Sequence, residues 1–147
     1  MKPYFTPLCM ALCLAFSGAA LAAPGGMSKD AHKAAKDKIE AQYKVDKKAC
    51  DAMQGNAKDV CQAEAKGKEE VAEAELAAQY KPGARADEKV KLAKADADYN
   101  VAKEKCDDAA GDAKATCTKE AKAAHDAARA QAQPAKSTAA STKGKGS

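Results

Sequence analysis

Residues 43–66, YKVDKKACDAMQGNAKDVCQAEAK, and residues 99–122, YNVAKEKCDDAAGDAKATCTKEAK, align without a gap at a constant offset of 56, and 12 of their 24 positions are identical. Some matches follow from a chain rich in alanine and lysine. A tyrosine, two cysteines, an aspartate and a glycine at matching spacings do not, and they mark a tandem duplication. Each copy reads Y-x6-C-D-x3-G-[ND]-A-K-x2-C-x2-E-A-K.

Midway between the cysteines of each copy stand the strong helix breakers, Gly55-Asn56 and Gly111-Asp112. Glycine suits the left-handed conformation that ends a helix, and Asn or Asp beside it can cap the start of the next. Each copy therefore describes a helix, a tight turn and a returning helix. The expected helices cover about 28–54, 57–80, 85–110 and 113–132, with Lys81-Pro82-Gly83 joining the copies.

The fold class that follows is all-α, two tandem antiparallel hairpins over residues 23–82 and 83–132. They can associate as a loose four-helix or coiled-coil-like arrangement, stay separate or pair between chains. In the third helix Leu92, Ala95, Tyr99, Ala102, Cys106 and Ala109 recur at alternating spacings of three and four, and Cys117, Ala121, Ala124, Ala128 and Ala132 continue the seam on the fourth. The first helix is a poorer copy: Lys36 and Asp46 stand where the third carries Leu92 and Ala102, so the first hairpin should be the looser.

The N-terminus reads as a leader. Lys2 is followed by an apolar run from about Leu8 to Phe16 and then by small residues, and Ala20 and Ala22 fit an A-x-A site, so residues 1–22 are expected to be removed. The apolar run is short for an anchor, and no later window spans a bilayer. Cys9 and Cys13 leave with the leader, so four cysteines reach a compartment that permits disulfides.

Those four cysteines allow three pairings. Pairing within each copy, Cys50 with Cys61 and Cys106 with Cys117, sets the bridges at similar distances either side of the turn. Crossed pairing, Cys50 with Cys117 and Cys61 with Cys106, becomes attractive if the glycine pairs fail to break the helix, because cysteines 11 residues apart would then sit about 16 Å apart. Turn chemistry favours the first. Structural stapling suits these cysteines better than metal binding, since a C-x10-C pair lacks the short ligand spacing of zinc and copper sites and His32 and His125 stand alone. Tyr43 and Tyr99 lie two turns before the first cysteine of each copy, where packing against the bridge explains them.

Composition narrows the function. Both phenylalanines, Phe5 and Phe16, belong to the leader and there is no tryptophan, so alanine must fill most helix contacts. No nucleophile elbow, phosphate-cradling loop or dinucleotide fingerprint is present, and the many carboxylates read as solvated i,i+4 partners of lysines. The chain is therefore expected to be non-enzymatic, with no cofactor. After the leader, residues 23–133 carry 21 acidic and 21 basic residues, and the excess charge is Lys136, Lys143 and Lys145 in a low-complexity tail over 133–147. Such a tail is expected to be disordered and solubilising; its electrostatic partners would be anionic envelope surfaces, not nucleic acid.

With AAKDKIEAQYK, VAKEKCDDAAGDAKATC and EAKAAHDAARAQAQ in view, residues 30–132 resemble the alanine-, lysine- and acid-rich helical middle region of the TolA cell-envelope proteins. The chain also looks like the small exported proteobacterial proteins labelled by that likeness. The resemblance implies an envelope setting and envelope-protein partners, though TolA proteins add an uncleaved anchor and a globular C-terminal domain. A second likeness is to alanine- and lysine-rich desiccation-protective proteins, which are typically cysteine-poor. The expectation is an exported, periplasmic or secreted, structural or interaction protein. The alternatives are a small metal- or ligand-sequestering protein and a stress-protective helical one.

Overall fold

A computed structural model describes residues 26–133; the expected leader over 1–22, its expected cleavage site and the tail from 134 onward lie outside them. Four helices follow in order, α1 (Lys29–Ala49), α2 (Gly55–Tyr80), α3 (Ala84–Cys106) and α4 (Gly111–Ala132), with a short 3-10 turn at Cys50–Ala52. Ser28 caps α1, its Oγ accepting from the Ala31 N–H at 3.1 Å.

Both hairpin turns are longer than the glycine pairs suggest. Helix α1 stops at Ala49 instead of running to 54, and the Cys50 N–H bonds back to the Lys47 and Lys48 carbonyls, tightening the chain into the 3-10 turn. Met53 and Gln54 are then extended, and Gly55 at φ +57° turns the chain into α2. Helix α3 likewise stops at Cys106, four residues early, with Ala110 extended and Gly111 at φ +56°. The left-handed glycines are where the repeat places them, but each opens the second helix of its hairpin and does not close the first. The capping role expected of Asn56 and Asp112 is not taken up. Gln54 and Ala110 precede the helices without a side-chain capping bond, and the Asn56 Nδ2 is buried without a partner. Asp112 instead adds its negative charge to the first turn of α4, where the helix dipole favours it.

The two hairpins pack together, through α2 and α3. Among the described residues each helix touches only its chain neighbours, and α1 makes no contact with α3 or α4, nor α2 with α4. The result is an open layer of antiparallel helices, and its most extensive seam is the one between the two copies. Gly83, at φ +151°, forms the α2–α3 corner, its carbonyl accepting from the Ala86 and Asp87 N–H groups at 2.7 and 3.0 Å.

The reason for that tight seam is Gly67. A β-carbon there would lie 2.8 Å from the Ala97 β-carbon, closer than real side chains approach. Glycine inside a helix costs about 1 kcal/mol of helix propensity relative to alanine; here it lets two backbones meet. Gly67 is buried with Ala65 and Leu76 on α2, and Ala95, Ala97 and Cys106 are buried on α3. Helix α1 buries no residue. The expected stripe from Leu92 to Ala109 is buried or half-buried throughout, its last member lying in the turn beyond α3, whereas Ala124 on the α4 stripe is exposed.

Candidate functional site

The residues shared by the two copies converge on the closed end of each hairpin. Cys50 is bonded to Cys61 and Cys106 to Cys117, each pair with Cα atoms 5.6 Å apart. Cys50 and Cys106 are almost fully buried, at 0% and 1% exposure, and they fill space that larger side chains would otherwise occupy. Beside each bridge an ion pair spans the turn: Lys58 to Asp51 at 3.4 Å and Lys114 to Asp107 at 3.0 Å. All four of these residues are identities of the repeat, so the aspartate after the first cysteine and the lysine before the second are turn braces. Sequence reasoning passed over them, although their presence in both copies was the signal.

Farther from the turns the copies diverge. In the second hairpin Asp96 Oδ1 meets His125 Nε2 at 2.6 Å and accepts from Arg129 Nη1 at 2.8 Å, joining α3 to α4. Tyr99 stacks on the His125 ring with centroids 4.6 Å apart and planes 20° apart. Burial pushes the Asp96 carboxyl up, but the hydrogen bonds from His125 and Arg129 outweigh that and hold it below the usual aspartate value. Tyr99 therefore packs on the histidine, two turns from the bridge.

In the first hairpin the equivalent positions, 56 residues earlier, are Glu40, Glu69 and Glu73 in place of Asp96, His125 and Arg129. Three acids cannot clasp one another. Lys36 instead contacts Glu40 at 3.7 Å and reaches across to Glu73 at 3.9 Å, both pairs being well exposed. Lys66 lies over the Tyr43 ring at 5.6 Å, and its hydrogen bond to Glu69 holds its ammonium above the ordinary lysine value. His32 packs tilted against Tyr80, ring centroids 4.4 Å apart and planes 39° apart, and ties the open end of this hairpin. Each histidine thus packs on a tyrosine of the neighbouring helix. Among the described residues no group of three or more His, Cys, Asp and Glu side chains is placed to hold a metal ion.

Grooves run along all three seams. The central one, between α2 and α3, has Gly67, Val71, Ala72, Ala97, Val101 and Ala102 as its floor. Salt bridges cross it at both ends, Lys94 to Glu75 at 2.7 Å and Lys105 to Glu64 at 3.6 Å. It is an open channel lined by small apolar groups and rimmed by charges of both signs, an arrangement suited to receiving another helix. No helix among the described residues is long and apolar enough to cross a membrane. The chain matches no family model, and neither a curated protein nor a solved structure is significantly similar to it.

Proposed function

We propose that this is an exported, non-enzymatic helical protein of the cell envelope, periplasmic or secreted, that acts through its helical surfaces as a structural or interaction element. The observation that carries the reading is the pair of disulfides, one in each copy of the repeat. Such bonds persist outside the reducing cytosol, and a leader-like N-terminus over residues 1–22 supplies the route out. The open layer adds to this: among the described residues no further element covers either face, and the long rows of lysine and carboxylate along the helices suit contact with other charge-laced envelope helices.

Fractionation of cells followed by crosslinking in the intact envelope tests the proposal. The expected result is a processed, oxidised protein outside the cytoplasm, captured reproducibly with an envelope protein or with the anionic envelope surface. Recovery of the unprocessed chain from the cytoplasm with its cysteines reduced would overturn it. A purified product with four free thiols and bound metal would replace it with a sequestering protein.

A further inference from the structure

The three grooves open on one face of the layer. Lys68 and Ala72 line both the α1–α2 and the α2–α3 groove, and Asp98 and Ala102 line both the α2–α3 and the α3–α4 groove, so the three are continuous. Val71 and Val101 lie half-buried in the central groove, where no other described element covers them. Around them α2 presents Glu64, Lys68, Val71 and Glu75, and α3 presents Lys94, Asp98, Val101 and Lys105. These are the same spacings 30 residues apart, with valine on valine and every charge reversed.

Because the helices are antiparallel, one end of the groove holds Glu64 with Lys105 and the other Glu75 with Lys94. We propose that this face docks a second copy of the chain, related to the first by a twofold axis along the α2–α3 groove. Rotation about that axis lays α2 of the copy antiparallel over α3, and α3 over α2. Glu64 of the copy then stands over Lys105 and its Glu75 over Lys94, while the valines close the middle. Each of these charges gains an opposite neighbour on the facing helix besides the one it has within its own chain. A twofold axis across the helices would place Glu64 over Glu75 and Lys94 over Lys105, and like charges brought together oppose docking. The charge pattern therefore selects the axis as well as the partner.

Size and shape agree. Helices of 23 and 26 residues are about 35–40 Å long and roughly 10 Å wide, so α2 and α3 together offer about 700 Å², close to the roughly 800 Å² per partner of an ordinary stable interface. Small residues along the floor let the facing helices approach closely, as Gly67 and Ala97 already do within the layer. The free edges of the layer are less suited to self-association. At the position of Gly67, α4 has Ala123, and at that of Lys105, α1 has Ala49, so an α4-to-α1 contact would lack both the close approach and the salt bridge of the α2–α3 seam. The inference concerns self-association and holds wherever the protein acts.

Sedimentation equilibrium of the oxidised protein, with circular dichroism and carbodiimide crosslinking of mixed isotopically light and heavy chains, tests it. A dimer is expected at concentrations of about 10–100 µM, with inter-chain Glu64–Lys105 and Glu75–Lys94 crosslinks. Val71→Asp should weaken association at least about tenfold while helicity is retained, because it places an unpaired charge at the centre of the interface. Val45→Asp, at an exposed site on α1 outside the α2–α3 groove, should leave association unchanged. If Val71→Asp also unfolds the chain, the fourfold charge swap E64K/E75K/K94E/K105E decides, because it preserves the 64–105 and 75–94 pairs both within and between chains. A swapped protein that still dimerises alone, but mixes with the original chain several-fold less readily, supports the proposal. A monomer throughout this range overturns it, as do inter-chain Glu64–Lys94 crosslinks, crosslinks confined to the opposite face, or a folded Val71→Asp dimer of undiminished affinity.

Discussion

Where α3 carries Leu92, α1 carries Lys36; where α4 carries His125 and Arg129, α2 carries Glu69 and Glu73. The two hairpins share a disulfide, a turn glycine and an ion pair across the turn, so their closed ends are fastened alike. Beyond the bridge the second is clasped by Asp96, His125, Arg129 and the Tyr99 stack, whereas the first relies on exposed lysine–glutamate pairs and the tilted His32–Tyr80 contact. The two copies agree at the turn and differ along the arms. Helix α1 lies at the edge of the layer and buries nothing, while its counterpart α3 lies inside and packs on both sides.

The largest way to break the comparison is to open the bridges one at a time. A disulfide closing an 11-residue span contributes about 3 kcal/mol by loop entropy. Cys50→Ser with Cys61→Ser should release α1 into local unfolding, read as loss of roughly 20 residues of helix by circular dichroism well before the rest melts. Cys106→Ser with Cys117→Ser should lower the midpoint but leave α4 docked, since the Asp96 cluster still holds it. Equal loss of helix in the two variants would mean that the clasp contributes nothing.

Gly67→Ala comes next. The new β-carbon forces α2 from α3, at about 1–3 kcal/mol, only partly offset by the better helix propensity of alanine. Ala97→Gly added to it should restore much of the loss in chemical denaturation. The exposed repeat equivalent, Ala123→Gly, should cost only the propensity, about 1 kcal/mol.

Asp96→Asn should destabilise the second hairpin by no more than about 1 kcal/mol, because Asp96 is 41% exposed and water screens the pair. The sign in pH is set by the depressed carboxyl. Its stabilisation is fully present above the unfolded aspartate value of 3.8 and is lost as pH falls below that through the lower folded value. Thermal melts of wild type and Asp96→Asn should therefore converge in strong acid. The smallest change sharpens the comparison instead. Lys36→Leu, which gives α1 the residue that α3 has at that position, gives up the exposed pairs to Glu40 and Glu73 for apolar contact with α2 and should stabilise the first hairpin by no more than about 0.5 kcal/mol net in the same melts.

Much of this was legible in the sequence. Breakers at fixed places between paired cysteines define the four helices and the within-copy bridging geometry, and Lys36 on the α1 seam already marks the poorer arm. The turn lengths were not legible, because the extended residues before the turn glycines, Met53 and Gln54 in one copy and Ala110 in the other, carry no distinctive turn chemistry. Nor was the central seam. Its signal is one glycine in mid-helix and a row of charges, and what matches α2 to α3 is opposition at an offset of 30, which a search for identity passes over. The Asp96 clasp was hidden for a related reason: His125 and Arg129 lie 29 and 33 residues from Asp96, and none of these three is an identity of the repeat.

Native-state hydrogen exchange of the oxidised protein tests the central claim most directly, namely that two stapled copies are held as one layer by the seam between them. Amides of α1 should exchange first, those of α4 next, and the last protected should lie on α2 and α3 around Gly67 and Ala97. If α1 and α2 instead exchange together as one unit, and α3 and α4 together as another, the hairpins are independent and the account is wrong.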